Sequence, residues 1–443
     1  MRPARGETRA GPFTVLLRRA IDVRDEEVRA LLLSCAYFFC VLSSYYIIRP
    51  LREEMGVAGG VRNIPWLFTG TMVAMLAVHP PFAALVARLP RRRFIAYANR
   101  FFIANLLIFF VVFRALRPEH MVWAGRVFFI WTAVFNLFVV SVFWSTMTDV
   151  FTTSQGKRFF GFIGCGGTLG GIAGSTLTAS LAERVGPINL LLASVVLLEL
   201  STQAVQRLGT IMGAAGDRRS GDHDAVIGGS MLAGVSHALR SPYLLGICAY
   251  MILFTIGSTT LYLQQASIAD SSFTEPSART AFFARIDLAV NVLTLLTQVF
   301  LTGRIVKWLG VAVTLTLLPA LSVIGFAVLG AVPTIAVFVV FQVLRRAGEF
   351  AVARPAREVL YTVLSREDKY KAKNFIDTFV YRMGDQIGAW STAGLKAFGV
   401  SSAAEALVAV PLSAIWLGVG LWLGRQQEGR AKELEALASH VPA

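Results

Sequence analysis

Four charged residues, Arg49, Arg52, Glu53 and Glu54, stand in the stretch YYIIRPLREEMG, directly after a long apolar run. A guanidinium stays charged whatever the local pH and presents a planar fork of donors. Paired arginines therefore suit phosphate or carboxylate, gripped through two parallel hydrogen bonds. Glu53 and Glu54 could neutralise them when no anion is present. Pro50 disfavours helical geometry at Arg49, so a kinked or unwound helix is expected. An exposed, ion-paired loop is the competing reading.

Three further stretches set charge inside apolar sequence. In VFQVLRRAGEFAVA, Arg345 and Arg346 precede Glu349 by four and three residues, a spacing that allows pairing on one helix surface. The alternatives there are snorkelling near a helix end and a cavity-facing role. In AFFARIDLAVNVL, Arg285 and Asp287 are two apart and cannot face each other on a helix, so each needs an outside partner or water. A mid-membrane charge costs about 2.5–3.5 kcal/mol. Asp287 is therefore read either as part of a fixed interhelical ion pair or as handling substrate or protons. In NFIDTFVYRMGDQIG, Asp377, Tyr381 and Asp385 follow at four-residue steps on one stripe, with Arg382 three before Asp385. Such a stripe suits an aqueous cavity, internal pairing being the alternative. Asp287, Glu349 and Asp385 are candidate proton-linked carboxylates.

The elements that must position these residues are membrane spans. Hydrophobic residues make up 55% of the 443 and charged residues 16%, well below the charge of soluble domains. Mean hydropathy is +0.61. A span needs about 20 mostly apolar residues. Twelve are read: 28–48, 64–87, 94–113, 122–149, 159–182, 188–208, 242–265, 280–302, 311–330, 333–353, 374–398 and 404–424. Those at 280–302, 333–353 and 374–398 are the weakest because they carry charge. The fold class is all-α, a polytopic bundle arranged six plus six.

The net charge of +15 is a topology signal rather than a nucleic-acid signature. With these spans, 26 Lys and Arg fall on the side of both termini and 7 on the other. By the positive-inside rule both termini are cytoplasmic. Some of the basic residues also suit anionic lipid. The expected segments are a cytoplasmic amino-terminal stretch 1–27, a first half 28–208, a cytoplasmic linker 209–241, a second half 242–424 and a cytoplasmic tail 425–443. The first 27 residues are basic and polar, so the first apolar run stays as a helix rather than a cleaved signal. Cys35, Cys40, Cys165 and Cys248 all fall within spans and read as small buried hydrophobes.

The halves repeat. Span 4 ends in FWSTMTDVFTTSQGKRFFGFIG and span 10 in ARPAREVLYTVLSREDKYKAKNFID. Each places an acid at the cytoplasmic end, Asp149 or Glu358. Each runs through a polar turn to a basic pair, Lys157 and Arg158 or Lys371 and Lys373, that opens the next helix. AALVARLPRR and GRIVKWLG resemble degraded Gly-x-x-x-Asp-Arg-x-Gly turns, with Ala87 and Lys307 in the acid position. The six-plus-six plan resembles the major facilitator fold, which implies that spans 3, 6, 9 and 12 stand outside the bundle; Arg100 and Glu199 do not fit that pattern. Span 5 is no phosphate loop, lacking the Gly-Lys-Ser/Thr element. Its Gly166, Gly170 and Gly174, and its Gly167 and Gly171, instead mark close helix packing.

These stretches resemble the ATP/ADP translocase (nucleotide transporter) family, particularly its relatives in free-living bacteria, over about residues 28 to 425. The matching features are YYIIRPLREEMG, the end of span 4, and Pro355, Arg357 and Glu358 at the end of span 10. The resemblance implies twelve spans and exchange of nucleoside di- and triphosphates. Two positions depart from it: Thr132 where the family carries Glu, and Asp385 where it carries Lys. The resulting expectation is a secondary transporter of nucleotides or another phosphorylated or anionic solute. Arg49, Arg52, Arg285, Arg345, Arg346 and Arg382 would contact substrate. Glu53, Asp287, Glu349, Asp377 and Asp385 would couple or gate. No enzyme, cofactor, metal or nucleic-acid partner is expected; the partners are a small anion and the lipid bilayer. The alternatives are a proton-coupled facilitator for a non-nucleotide organic anion and a non-transporting membrane sensor.

Overall fold

Within lipid every backbone polar group must be paired inside the chain, so apolar runs of this length become helices. The computed structural model describes residues 23–88, 91–215, 241–364, 373 and 375–439. Residues 1–22 of the amino-terminal segment, most of the linker, and Lys371 lie outside the described residues. The first half comprises α1 (Asp25–Ala58), α2 (Ile64–Arg88), α3 (Arg91–Ala115), α4 (Pro118–Val150), α5 (Thr153–Val185) and α6 (Leu190–Ala215). The second comprises α7 (Pro242–Ser272), α8 (Pro276–Phe300), α9 (Thr302–Ala331), α10 (Ile335–Gly348), α11 (Tyr381–Ala397) and α12 (Ser402–Ser439). A π-helical turn (Glu349–Ala353) continues α10 into a short helix (Arg354–Leu360), and another (Ile376–Val380) opens α11.

Among the described residues nine helices are long and apolar enough to cross a membrane, all but α5, α10 and α11. The weakness expected of α10 and α11 is there, whereas α8 qualifies despite its charges. The sequence of α5 is rich in glycine and hydroxyl residues, and its fit depends on close packing. An added Cβ would lie 2.3 Å from the Phe39 carbonyl oxygen at Gly170 and 2.4 Å from that of Ser43 at Gly174. Both contacts are with α1, where Ser43 also donates to the Gly170 carbonyl at 3.0 Å. The second half repeats the device, with Gly384 and Gly388 of α11 against Thr255, Ile256 and Thr259 of α7.

One element corrects the expectation. Helix α1 does not unwind at Pro50 but continues through it to Ala58, because its last turns are held by ion pairs to the second half, described below. Residues 425–439 of the stretch read as a tail are helical and continuous with α12. Glu428 there accepts from the Ala312 amide at 3.0 Å. That amide needs a partner because α9 is broken at Gly310, whose φ of 72° only glycine adopts readily. Gly310 is the last glycine of the degraded turn GRIVKWLG.

Helix α1 packs on α4, α5 and α6, and α7 packs on α11 and α12. The halves meet along α5 with α8, α1 with α8 and α2 with α11. An apolar cluster including Val57, Ile64, Phe282, Phe283 and Ala389 joins them at the end of the bundle where α1 finishes. That end is the far side; the end where α1 starts is the near side. Large apolar side chains such as Phe101, Ile108, Val196, Ile324 and Ile415 face outward from α3, α6, α9 and α12, as outer helices require.

Candidate functional site

Because α1 stays helical, its charges are carried into the bundle instead of into a loop. Glu53 and Glu54 are buried, at 5% and 3% exposure, which rules out the exposed-loop reading. Successive residues on a helix point about 100° apart, so the four charges address different neighbours. Arg49 reaches α8, donating through Nη1 to Asp287 Oδ1 at 2.9 Å. Arg52 lies over the Phe129 ring of α4, 3.7 Å from its centroid. It donates to the Phe129 carbonyl at 3.2 Å and to Glu53 Oε1 at 2.9 Å. Glu53 also accepts from the Tyr262 hydroxyl of α7. Glu54 pairs with Arg279 of α8 at 3.0 Å, and Arg279 is fixed further by the carbonyls of Phe273 and Thr274.

Asp287 is the centre of the arrangement. It is 3% exposed, and a second arginine, Arg346 of α10, forms an ion pair with the same oxygen at 2.8 Å. A buried carboxylate needs such partners to stay ionised. Arg346 Nη2 is itself buried without a hydrogen-bond partner. Around Asp287 and Glu53 stand Arg49, Arg52 and Arg346, three fixed positive charges against two carboxylates. Nearby on α11, Arg382 and Asp385 pair at 3.2 Å, and Thr259 of α7 donates to Asp385 at 3.3 Å.

Several expected site residues are placed elsewhere. Arg345 is turned away from Asp287, 2% exposed, donating to the Phe254 carbonyl at 3.0 Å and to Ser322 at 3.3 Å. As the immediate neighbour of Arg346 it must point to another face of α10, so it supports packing rather than anion binding. Arg285 is 62% exposed in its side chain and pairs with Glu183 of α5 at 3.0 Å, because two residues from Asp287 the helix faces outward. Glu349 pairs with neither Arg345 nor Arg346 but with Arg357 at 3.3 Å. Eight α-helical residues would overshoot two turns by about 80°. The wider π turn at 349–353 absorbs that excess and brings Glu349 and Arg357 onto one face. Asp377 is exposed in the other π turn, with Arg357, Lys373 and Glu358 as its electrostatic neighbours.

On the near side the repeated turns make pairs within each half. Arg158 reaches Glu27 of α1 at 3.1 Å, with Gln155 on the same carboxylate at 2.7 Å. Lys373 pairs with Glu358. Asp149 and Lys157 lie within α4 and α5. The described bonds between halves all lie at mid-bundle or on the far side. Besides Arg49–Asp287 and Glu54–Arg279 they include Thr69–Gln386 at 2.8 Å and Asn291–Ser175 at 3.5 Å. Trp66 stacks edge-on against Trp390 at 4.8 Å.

The sequence reading missed Tyr262, Phe129, Arg279, Glu54's partnership with Arg279, and Glu27. Tyr262 and Phe129 sit in uncharged runs and carry no signal. Arg279 and Glu27 fell in segments read as loop, where charge is ordinary.

No family model matches the chain. It is similar to ADP,ATP carrier protein 1 of Chlamydia muridarum, 22% identical with 94% of this chain and 91% of the relative covered. ADP,ATP carrier protein 1 of Chlamydia pneumoniae is 21% identical over 93% and 94%. The plastidic ATP/ADP-transporter of Solanum tuberosum is 22% identical over 92% and 75%. Among solved structures, a bacterial homologue of the iron transporter ferroportin in an inward-facing state matches with TM-score 0.63 at 14% identity, covering 88% of this chain and 98% of that one. An autoinhibited POT family peptide transporter matches with TM-score 0.60 at 15% identity, covering 89% and 96%. These last two establish the fold alone.

Proposed function

Since the chain is a distant homologue of the ADP,ATP carrier proteins, built as a multi-pass transporter fold, we propose that it moves a nucleotide or another phosphorylated anion by alternating access. The observation that carries this reading is the convergence of Arg49, from the first half, and Arg346, from the second, on one oxygen of Asp287. An anion entering between them would meet two guanidinium forks on opposite halves. Binding it would tie those halves together, which is the coupling that alternating access needs. Arg52 and Arg382 are proposed as further contacts, with Glu53 and Asp385 holding them in the empty state.

The far side is the closed one in this state, latched by Glu54–Arg279, Thr69–Gln386 and the Trp66–Trp390 contact. Substrate would enter from the near side. The reading places that side in the cytoplasm and the protein in the inner membrane of a bacterium, following the basic asymmetry of the loops.

One observation favours a second reading, a facilitator for a non-nucleotide organic anion. Asp385 stands where the resemblance would put a lysine, and it neutralises Arg382. The test is uptake into liposomes reconstituted with the purified protein. Labelled ATP and ADP should enter and exchange against unlabelled nucleotide inside. If nucleotides fail while other phosphorylated or carboxylated solutes enter, the second reading replaces the first. If no anion enters or binds, both fall.

A further inference from the structure

The charges around Asp287 constrain what can bind there. Arg49, Arg52 and Arg346 face Asp287 and Glu53, leaving one positive charge in excess. The neighbouring pairs Arg382–Asp385, Arg279–Glu54 and Glu349–Arg357 are each neutral, and Arg345, next to Arg346, adds one further buried cation with no carboxylate in an ion pair. Arginine does not give up its proton. A phosphate ester carrying three or more negative charges, as ADP does, would therefore leave net negative charge in a buried, low-dielectric place, at high cost. The site can correct this by losing one of its own negative charges.

Asp287 is the group placed to do so. Arg49 by a hydrogen bond and Arg346 by an ion pair converge on the same oxygen, so an anion that takes their forks strips the carboxylate of its stabilising partners together. The other cation of α10, Arg345, is turned away to the Phe254 carbonyl and Ser322. On α1 there is Tyr46 and, beyond Arg49, Glu53. From α5 comes Glu183, already held by Arg285 of α8 itself. From α10 there is Glu349, held by Arg357. On α7, Tyr262 is committed to Glu53. A buried carboxylate without a cation favours its neutral form. Glu53 differs, because the Tyr262 hydroxyl still donates to it.

We propose that Asp287 is a stand-in for the substrate anion, and that it takes up a proton when the anion displaces it. Anion and proton then occupy the site together. This rests on the anion site proposed above. It adds a stoichiometry, about one proton per multivalent anion, and a competitor whose removal should strengthen binding.

The test uses calorimetry on the purified full chain, with ADP as the probe. It is run at about pH 8, where the phosphates of free ADP have lost their protons, in buffers of different ionisation enthalpy. The wild type should draw about one proton from the buffer per ADP bound. Asp287→Asn should draw none and should bind ADP at least about ten-fold more tightly, while Asp287→Glu should restore uptake. ADP binding by the wild type with no buffer dependence would overturn the proton inference and leave the anion site standing. Unchanged uptake in Asp287→Asn would overturn the assignment to Asp287. Absence of ADP binding would remove the nucleotide reading and this inference with it. The wild-type measurement decides the stoichiometry even if the variants do not fold.

Discussion

Arg49 of α1 and Arg346 of α10 form ion pairs with the same oxygen of Asp287, at 2.9 and 2.8 Å. They come from different halves of the bundle, and a carboxylate on α8 is all that stands between them. Removing either arginine removes one side of the bridge.

Arg346→Gln should weaken anion binding by the value of one charge-assisted contact, about 1.5–3 kcal/mol, or roughly 10- to 150-fold. Its neighbour gives the contrast. Arg345→Gln should leave affinity nearly unchanged but lower stability by about 1–3 kcal/mol, since it deprives the buried Phe254 carbonyl of its donor. Nucleotide titration and thermal unfolding on both variants separate the two roles. Equal losses of affinity would put Arg345 back in the site.

That contrast also marks what sequence could deliver. The cost of charge in a membrane was enough to say that Asp287 needed a partner from elsewhere. It could not say which one, because Arg49 is 238 residues away. The choice between Arg345 and Arg346 is a matter of azimuth on α10, which depends on how that helix is turned against α8 and α9. Pro50 misled for a related reason. Its local preference against helix was overridden by buried pairs, Glu54–Arg279 among them, that hold the last turns of α1. Gly166, Gly170 and Gly174 were legible because close packing is written into their spacing alone.

Those glycines give a stability prediction. Gly170→Ala would bring a methyl to 2.3 Å from the Phe39 carbonyl oxygen and should destabilise the α1–α5 contact by about 1–3 kcal/mol. Gly164→Ala meets nothing within 4 Å and should be neutral or slightly stabilising through higher helix propensity. Melting temperatures of the two variants check the pair. Similar losses at both positions would mean that α5 is not seated on α1 as described.

Orientation follows from the loop charges. Single cysteines at positions 220 and 436, made as Ser220→Cys and Ala436→Cys in a background lacking Cys35, Cys40, Cys165 and Cys248, should be labelled by a membrane-impermeant maleimide only after the cells are opened. Labelling of either on intact cells would invert the topology, and with it the side from which substrate enters.

The far-side latch can be locked directly. Thr69 of α2 donates to Gln386 of α11 at 2.8 Å, and the Trp390 indole N–H reaches the same hydroxyl at 3.3 Å. These helices are remote in the chain and belong to different halves, so the contact holds only while the halves are closed there. Thr69→Cys combined with Gln386→Cys, in the background free of other cysteines, should form a disulfide under mild oxidant in the empty protein. Uptake into liposomes should then stop and return on reduction. Nucleotide binding from the near side should survive the cross-link, because Arg49 and Arg346 are already gathered around Asp287 in the latched state. Saturating substrate should slow cross-linking if bound protein spends time open at the far side. A pair that cross-links without affecting transport would show that these helices do not separate during the cycle, and the closing surface would then have to be sought elsewhere along α1 and α8.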